Sequence, residues 1–484
     1  MAGPGAGAAV TTTKASADDA FAERAAQHRG AGGQVSLTDR AAINPFAALA
    51  GLLRRPMSSY YLLLASAGLL LSIGLAMVLS ASSIDSFRTS GSAFTEFSKQ
   101  ATWAAIGLPA FWLGLRLPVR AYELLGYPVL LVSGVLLALL WAVPSIGVEV
   151  NGAALWIKVG PVQVQPAELA KLGLALWGAA TLLHKRALLG HWKHLAIPLL
   201  PVSGLMLLLV GHNDLGSMLL LLIVLLTLLW VSGVRFRVFG ALLAVGMFGV
   251  VALIFGKSYR LDRLTSFADP FAVADHEGYQ AVHGLFALAS GGWWGVGLGQ
   301  SREKWDYLPE AHNDFIFAVI GEELGVIGCF VVILLFGVLT YAGLRIARRV
   351  DDPFRRLVAA SCTLWLAGQA LINMGAVANL LPITGVPLPL ISAGGSSLVI
   401  TMLIVGMLSS FARAEPEAAA ALHARGRTWW AKMWGIPLPP LAGEQPARPP
   451  RERGRGGSAR TRSKPSRRSS ESSTGSRSRS GGRL

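Results

Sequence analysis

The sequence predicts an all-α integral membrane protein with ten transmembrane helices and a large extracytoplasmic loop between helices 7 and 8. Three observations carry that prediction. Of 484 residues, 53% are hydrophobic and 14% are charged, whereas a soluble chain carries about a quarter charged residues. Apolar runs of about 20 residues, the length that crosses a bilayer as a helix, recur through the middle of the chain. The short loops between those runs are basic at every second turn, which fixes an orientation.

The spans lie near 60–81, 100–116, 123–143, 166–183, 195–211, 215–233, 237–257, 314–341, 357–378 and 394–412. The first begins near Tyr60, too late for a cleavable signal peptide, so it reads as a true span. Arg54/Arg55, Arg116/Arg120, His184-Lys185-Arg186 with Lys193, Arg235/Arg237, the Arg345–Arg356 cluster and Arg413 share one side if the N-terminus is cytoplasmic. Ten spans then return the C-terminus to the cytoplasm. The expected layout is a disordered cytoplasmic segment over 1–59, a ten-helix membrane domain over 60–413 and a disordered basic cytoplasmic tail over 414–484.

The net charge of +16 does not indicate nucleic-acid binding. Between Ala421 and Leu484 stand fifteen Lys/Arg and three Asp/Glu, so most of the excess belongs to one Ser/Gly/Pro/Arg-rich tail that cannot bury a core. That tail is read as held near anionic lipid, with docking on an acidic partner as the sharper alternative. Cys329 and Cys362 lie inside apolar runs with no metal-ligand spacing and no disulfide framework.

The outward loops are 82–99, 144–165, 258–313 and 379–393. The loop 258–313 exceeds the length usual for a connection without function. Its apolar stretch Ala281–Ser290 reads as a short helix re-entering the membrane edge, and Tyr259, Trp293, Trp294, Trp305 and Tyr307 suit the interface. No internal repeat is evident, which weakens a transporter reading.

Ionisable residues at membrane depth are expensive and mark candidate sites. Glu168 and Lys171 share a helix face three residues apart and can pair. Asp214, between the fifth and sixth spans, is weighed equally as a helix cap and as a functional carboxylate. Asp314 opens the eighth span, with Glu322 and Glu323 roughly 12–13 Å deeper; only Glu322 can share the side of Asp314. Arg260, Arg263 and Lys171 are the cations available to those glutamates. For Asp314 an N-cap and a general base are both open; the neighbouring loop carries His312, Glu310, Asp306, Lys304 and Arg302.

The Gly-rich segment Ser290–Ser301 lacks the Lys-Ser/Thr of a nucleotide loop. Its amides could cradle a diphosphate, though a flexible hinge is the plainer account. The Gly/Pro-rich stretch from Pro382 to Ser397 breaks the backbone at membrane depth, which is tolerated at a cavity wall.

Taken together these segments resemble the SEDS family of polytopic peptidoglycan polymerases over about residues 60–413. The resemblance rests on Asn151-Gly-Ala with Trp156-Ile157, Gln165-Pro-Ala-Glu-Leu-Ala-Lys171, Asp214-Leu-Gly216, Gly278-Tyr-Gln280, Gly295–Ser301, Leu308–Asp314, Gly321-Glu-Glu-Leu-Gly325 and Pro389–Ser397. It implies the SEDS fold and a glycosyltransferase that polymerises lipid II at the outer face of the cytoplasmic membrane. The acceptor 4-hydroxyl would attack the anomeric carbon of the growing chain, with undecaprenyl diphosphate as leaving group. Asp314 would be the general base, and Arg260 and Arg263 would neutralise the diphosphate. Gln280, Lys304, Glu310, His312, Glu168, Lys171 and Ser396 are the further substrate-binding candidates. No cofactor is assigned; a divalent cation, magnesium or manganese, is an open requirement.

Leu155, Thr384 and Asn213 depart from the family's usual Arg, Lys and Pro, which puts substrate contact at those positions in doubt. The Leu-Ile-Ser-Ala-Gly-Gly ending and the basic tail favour the division type over the elongation type, in a style similar to actinobacterial members. The family implies a class B penicillin-binding protein as partner, with divisome proteins around it and the acidic tubulin homologue FtsZ as a contact for the tail. A lipid II flippase and a non-catalytic divisome scaffold are the alternatives to a polymerase.

Overall fold

The computed structural model describes residues 51, 53 and 55–441, except 151–152, 161, 186–197, 257, 276–277 and 306. Of the stretches expected as disordered, 1–59 and 414–484, residues 1–50, 52, 54 and 442–484 lie outside the described residues, as do Asn151, Arg186, Lys193 and Asp306, while Ser58 and Ser59 already belong to the first helix.

A helix coincides with each expected span: α1 (Ser58–Ser90), α2 (Thr95–Arg116), α3 (Val119–Ala142), α4 (Pro166–His184), α5 (Leu199–Asn213), α6 (Leu215–Val231), α7 (Phe236–Phe255), α10 (Ile316–Arg349), α11 (Pro353–Val377) and α12 (Gly395–Arg413). Between α7 and α10 stand α8 (Ser258–Ala268) and α9 (Tyr279–Ser290). Among the described residues six helices, α1, α3, α7, α10, α11 and α12, are long and apolar enough to cross a membrane. The helices α5 and α6 are apolar but shorter, and α2 and α4 carry Glu96, Lys99, Glu168 and Lys171.

The physical reason that α4 tolerates charge is its position. From Pro166 to Leu182 nearly every residue is buried, and it packs against α3, α6, α11 and α12. A helix surrounded by protein can pair its ionisable groups internally. The pairing of α2 with α12 relies on small residues instead. A Cβ on Gly114 would meet the Leu403 carbonyl and one on Gly406 the Phe111 carbonyl, so the two backbones approach as only glycine allows.

Two features depart from the expected all-α layout. The loop 144–165 holds an antiparallel meander of β1 (Gly147–Val150), β2 (Ala153–Val159) and β3 (Val162–Val164), in which Ile157 is paired with Gly147 on one side and Val164 on the other. Ile157 is buried against Leu140 and Leu136, which seats the sheet on the end of α3. Second, residues 414–441, expected as the start of a disordered tail, form α13 (Pro416–Arg425) and α14 (Trp429–Met433). They hold together because Arg413 Nη2 donates to Pro437 O at 3.2 Å and the His423 ring nitrogen Nε2 contacts Pro439 O at 2.8 Å.

Helix α10 is broken at Gly325, where φ is 69° and ψ −168°. The Gly-rich segment fills the break. Val296 and Gly297 donate their N–H groups to Glu322 O and Glu323 O, at 2.9 and 3.1 Å. Val326 and Ile327 donate to Gly292 O and Trp293 O, at 2.9 and 3.4 Å. Backbone groups freed by the missing helical turn are thus satisfied by an inserted loop, as buried polar groups require. The Val296 and Gly297 amides and the Gly292 and Trp293 carbonyls are spent on α10 rather than left to cradle a diphosphate.

Candidate active site

A cavity of about 710 Å³ opens where α2, the sheet, the α5–α6 junction, α8 and the 382–395 stretch meet the residues just before α10. Asp314, Asp214 and Glu310 line it, with Arg260, Arg263, Lys99 and Lys158. The 382–395 stretch, expected as a cavity wall, is one.

Asp314 is held through its backbone. Asn373 Nδ2 donates to Asp314 O and to Val386 O, both at 2.8 Å, and Ser392 Oγ donates to Asn313 O at 2.7 Å. Ala393 N donates to His312 O at 3.0 Å. The side chain faces Gly385, a position with φ of 69° where even a Cβ would stand 3.6 Å from Asp314 Oδ2. The N-cap of α10 is Phe315, with no side-chain cap, so the N-cap reading of Asp314 is overturned.

Burial chiefly, and then Glu310, push the Asp314 carboxyl up to about 7; Arg263 opposes the shift and Asp214 adds to it. The half-buried carboxylate therefore sits where a general base works best, near the operating pH. Glu310 itself adopts a left-handed φ of 57°, a conformation uncommon for a non-glycine residue, and receives Asn313 Nδ2 at 2.5 Å.

Asp214 caps a helix, as one of its two readings expects, and also lines the cavity. Its Oδ1 accepts from Ser217 N at 2.8 Å as the N-cap of α6, while Oδ2 receives Gln165 Nε2 at 3.4 Å on the cavity wall. Arg260 is committed to structure. Its guanidinium donates to Leu253 O and Gly211 O at 2.8 Å and to His212 O at 3.0 Å, closing the carbonyl end of α5 as a cation there should. Arg263 Nη1 reaches Ile383 O at 3.4 Å and remains on the wall.

The other expected site residues lie elsewhere. Glu168 and Lys171 are buried and paired at 2.7 Å, with Lys171 Nζ 4.9 Å from the Trp365 ring centroid. Lys304 is buried 3.1 Å from Glu323 Oε1, which also accepts from Ser80 Oγ at 2.7 Å. Glu322 accepts from Ser301 Oγ and from Arg302 N. The glutamates are thus served by Lys304, serines and backbone rather than by Arg260, Arg263 or Lys171. Ser396 Oγ accepts from Gln165 N at 3.2 Å; Gln280, His312 and Ser396 do not line the cavity.

Sequence reasoning missed Glu96, Lys99, Lys158, Gln163 and Gln165 as wall residues. Glu96 and Lys99 pair at 2.6 Å on the first turns of α2, in a stretch expected as outward loop. Leu155, Thr384 and Asn213, the three departures from the family pattern, all stand on the wall. Among the described residues no three His, Cys, Asp or Glu side chains form a group that could hold a metal ion.

Comparison with known proteins matches residues 60–417 to the family described as cell cycle protein, which groups FtsW, RodA and SpoVE. The chain is 44% identical over 400 residues to the "Probable peptidoglycan glycosyltransferase FtsW" of Mycobacterium tuberculosis, covering 82% of this chain and 75% of the relative. It is 40% identical over 351 residues to the protein of the same name from Hahella chejuensis, covering 72% and 88%. A chain solved within a peptidoglycan synthase complex aligns with TM-score 0.57 at 29% identity, over 75% of this chain and 98% of that one. RodA of Thermus thermophilus, a rod-shape-determining protein, aligns with TM-score 0.53 at 28% identity, over 75% and 99%.

Proposed function

From the premise that the chain belongs to the FtsW/RodA/SpoVE family of cell cycle proteins, as a multi-pass peptidoglycan glycosyltransferase of the FtsW type, we propose that it polymerises lipid II in the Asp314 cavity during septal division. All ten helices that coincide with expected spans cross the membrane in this reading. The termini are cytoplasmic and the cavity opens to the outer leaflet, following the basic residues of the short loops.

The observation that carries the proposal is Asp314 itself, a carboxylate raised to about 7 at the wall of a cavity that also presents Arg263, Lys99 and Lys158. Asp314 takes the proton from the 4-hydroxyl of the acceptor lipid II. The resulting oxygen attacks the anomeric carbon of the growing chain, a new glycosidic bond forms, and the bond to the undecaprenyl diphosphate breaks. The diphosphate departs with the bonding electron pair beside the wall cations, which oppose its developing charge. Arg260 keeps the junction of α5, α7 and α8 in place.

A class B penicillin-binding protein is the partner that crosslinks the product, a reading supported by the likeness to a chain from a peptidoglycan synthase complex. The test is lipid II polymerisation by the reconstituted chain with that partner. Wild type is expected to form glycan strands and Asp314→Ala none; equal activity in the two would remove the base.

A further inference from the structure

We infer that residues 425–434, on the strap that follows α12, dock on anionic phospholipid headgroups at the membrane surface. Because α12 is one of the helices able to cross the bilayer, the chain leaving it at Arg413 lies at the membrane–water boundary. The strap does not run off into solvent. It proceeds through α13, reverses at Gly426, where φ is 69°, passes α14 and reverses again at Gly435, where φ is 60°. The return leg is pinned to the helix ends: Trp112 Nε1 of α2 donates to Trp434 O at 2.9 Å, and Arg413 donates to Pro437 O. Arg349 of α10 pairs with Glu417 at 3.0 Å, which ties α13 to the same end of the bundle.

That fold leaves a particular surface uncovered. Trp429, Met433 and Trp434 are 64%, 52% and 52% exposed. Arg425, Arg427 and Lys432 are exposed on the same strap, and Arg116 lies 5.0 Å from the Trp112 ring beside it. Large apolar side chains held rigidly in water are unfavourable, but tryptophan belongs at the headgroup level of a bilayer. Lysine and arginine in that layer are drawn to anionic lipid. The combination of three exposed apolar side chains with three exposed cations is that of an interfacial anchor.

The experiment uses the full chain in nanodiscs of phosphatidylcholine alone and of phosphatidylcholine with phosphatidylglycerol, followed by hydrogen exchange of the 425–434 amides. Phosphatidylglycerol is expected to slow that exchange by about tenfold, within what a few cations near an anionic surface contribute. Arg425→Gln with Lys432→Gln should abolish the difference while exchange in α12 stays unchanged. Arg427 is left in place because its guanidinium donates to Ile436 O at 3.2 Å within the strap. Equal exchange in the two lipid compositions would overturn the inference. Protection that arises only when the transpeptidase partner is added, in either lipid, would assign the surface to a protein and overturn it as well.

Discussion

Gly295 and Gly325 lie back to back: a Cβ on Gly325 would stand 2.5 Å from Gly295 N, and both residues have positive φ. The break in α10 and the loop that fills it are therefore one unit. Gly291, Gly295 and Gly325 are required there by the close approach of backbone.

Gly295→Ala should destabilise the protein by about 2 kcal/mol or more, through left-handed backbone strain and overlap with the Glu323 carbonyl. Thermal unfolding in detergent checks this. Gly299→Ala shares the φ of 80° but meets nothing within 4 Å, so it should cost only the backbone strain.

Lys304 and Glu323 are 2% and 0% exposed and 3.1 Å apart. Lys304→Met strands a buried carboxylate and should cost about 3–5 kcal/mol. The double variant with Glu323→Gln should recover a large part of that loss. A double-mutant cycle on unfolding midpoints reads the difference directly, and additive losses would show that the pair is uncoupled.

Asp214→Ser separates the two roles of that residue. Serine retains an N-cap oxygen for Ser217 N, so stability should change by less than the ~1 kcal/mol of Asp214→Ala. Loss of the charge removes one of the influences that raise Asp314, so the pH profile of activity should move to lower pH in both variants.

The pH dependence follows from the Asp314 carboxyl, raised from its ordinary range to about 7. A base must be ionised, so polymerisation at low substrate should rise through pH 7 and level off above it. Glu310→Gln should shift the rise downward and Arg263→Ala upward. Stability runs the other way. The folded state holds this proton more tightly than the unfolded chain, so the contribution is present below about pH 4 and is lost as pH rises through 7. Asp314→Asn should therefore unfold at a higher temperature than wild type at pH 8, and show no such gain at pH 4.

The helices were legible because hydropathy is written residue by residue; Asp314 was a candidate because it stood at the end of such a run beside a long polar loop, and the family resemblance tipped it toward the role of base. Tertiary pairings were not legible. Glu323 has Lys304 as its cation, a residue that the family resemblance had made a substrate-binding candidate, because a partner 19 positions back in an irregular loop leaves no periodic trace. The strands around Ile157 are too short to outweigh the apolar signal of the helices beside them. The Gly-rich segment showed its permissive backbone but not that its amides and carbonyls complete a broken helix. Lys158 and Gln163 reach the cavity only because the β2–β3 turn folds them there.

The most direct measurement of the central claim is the rate of lipid II polymerisation by Asp314→Asn against wild type, each reconstituted with the partner transpeptidase at pH 8. Asparagine keeps the size of the side chain and removes the proton acceptor. The account predicts a folded protein with a loss of at least about 100-fold, the scale of a general base. A folded Asp314→Asn protein that polymerises at the wild-type rate would contradict it.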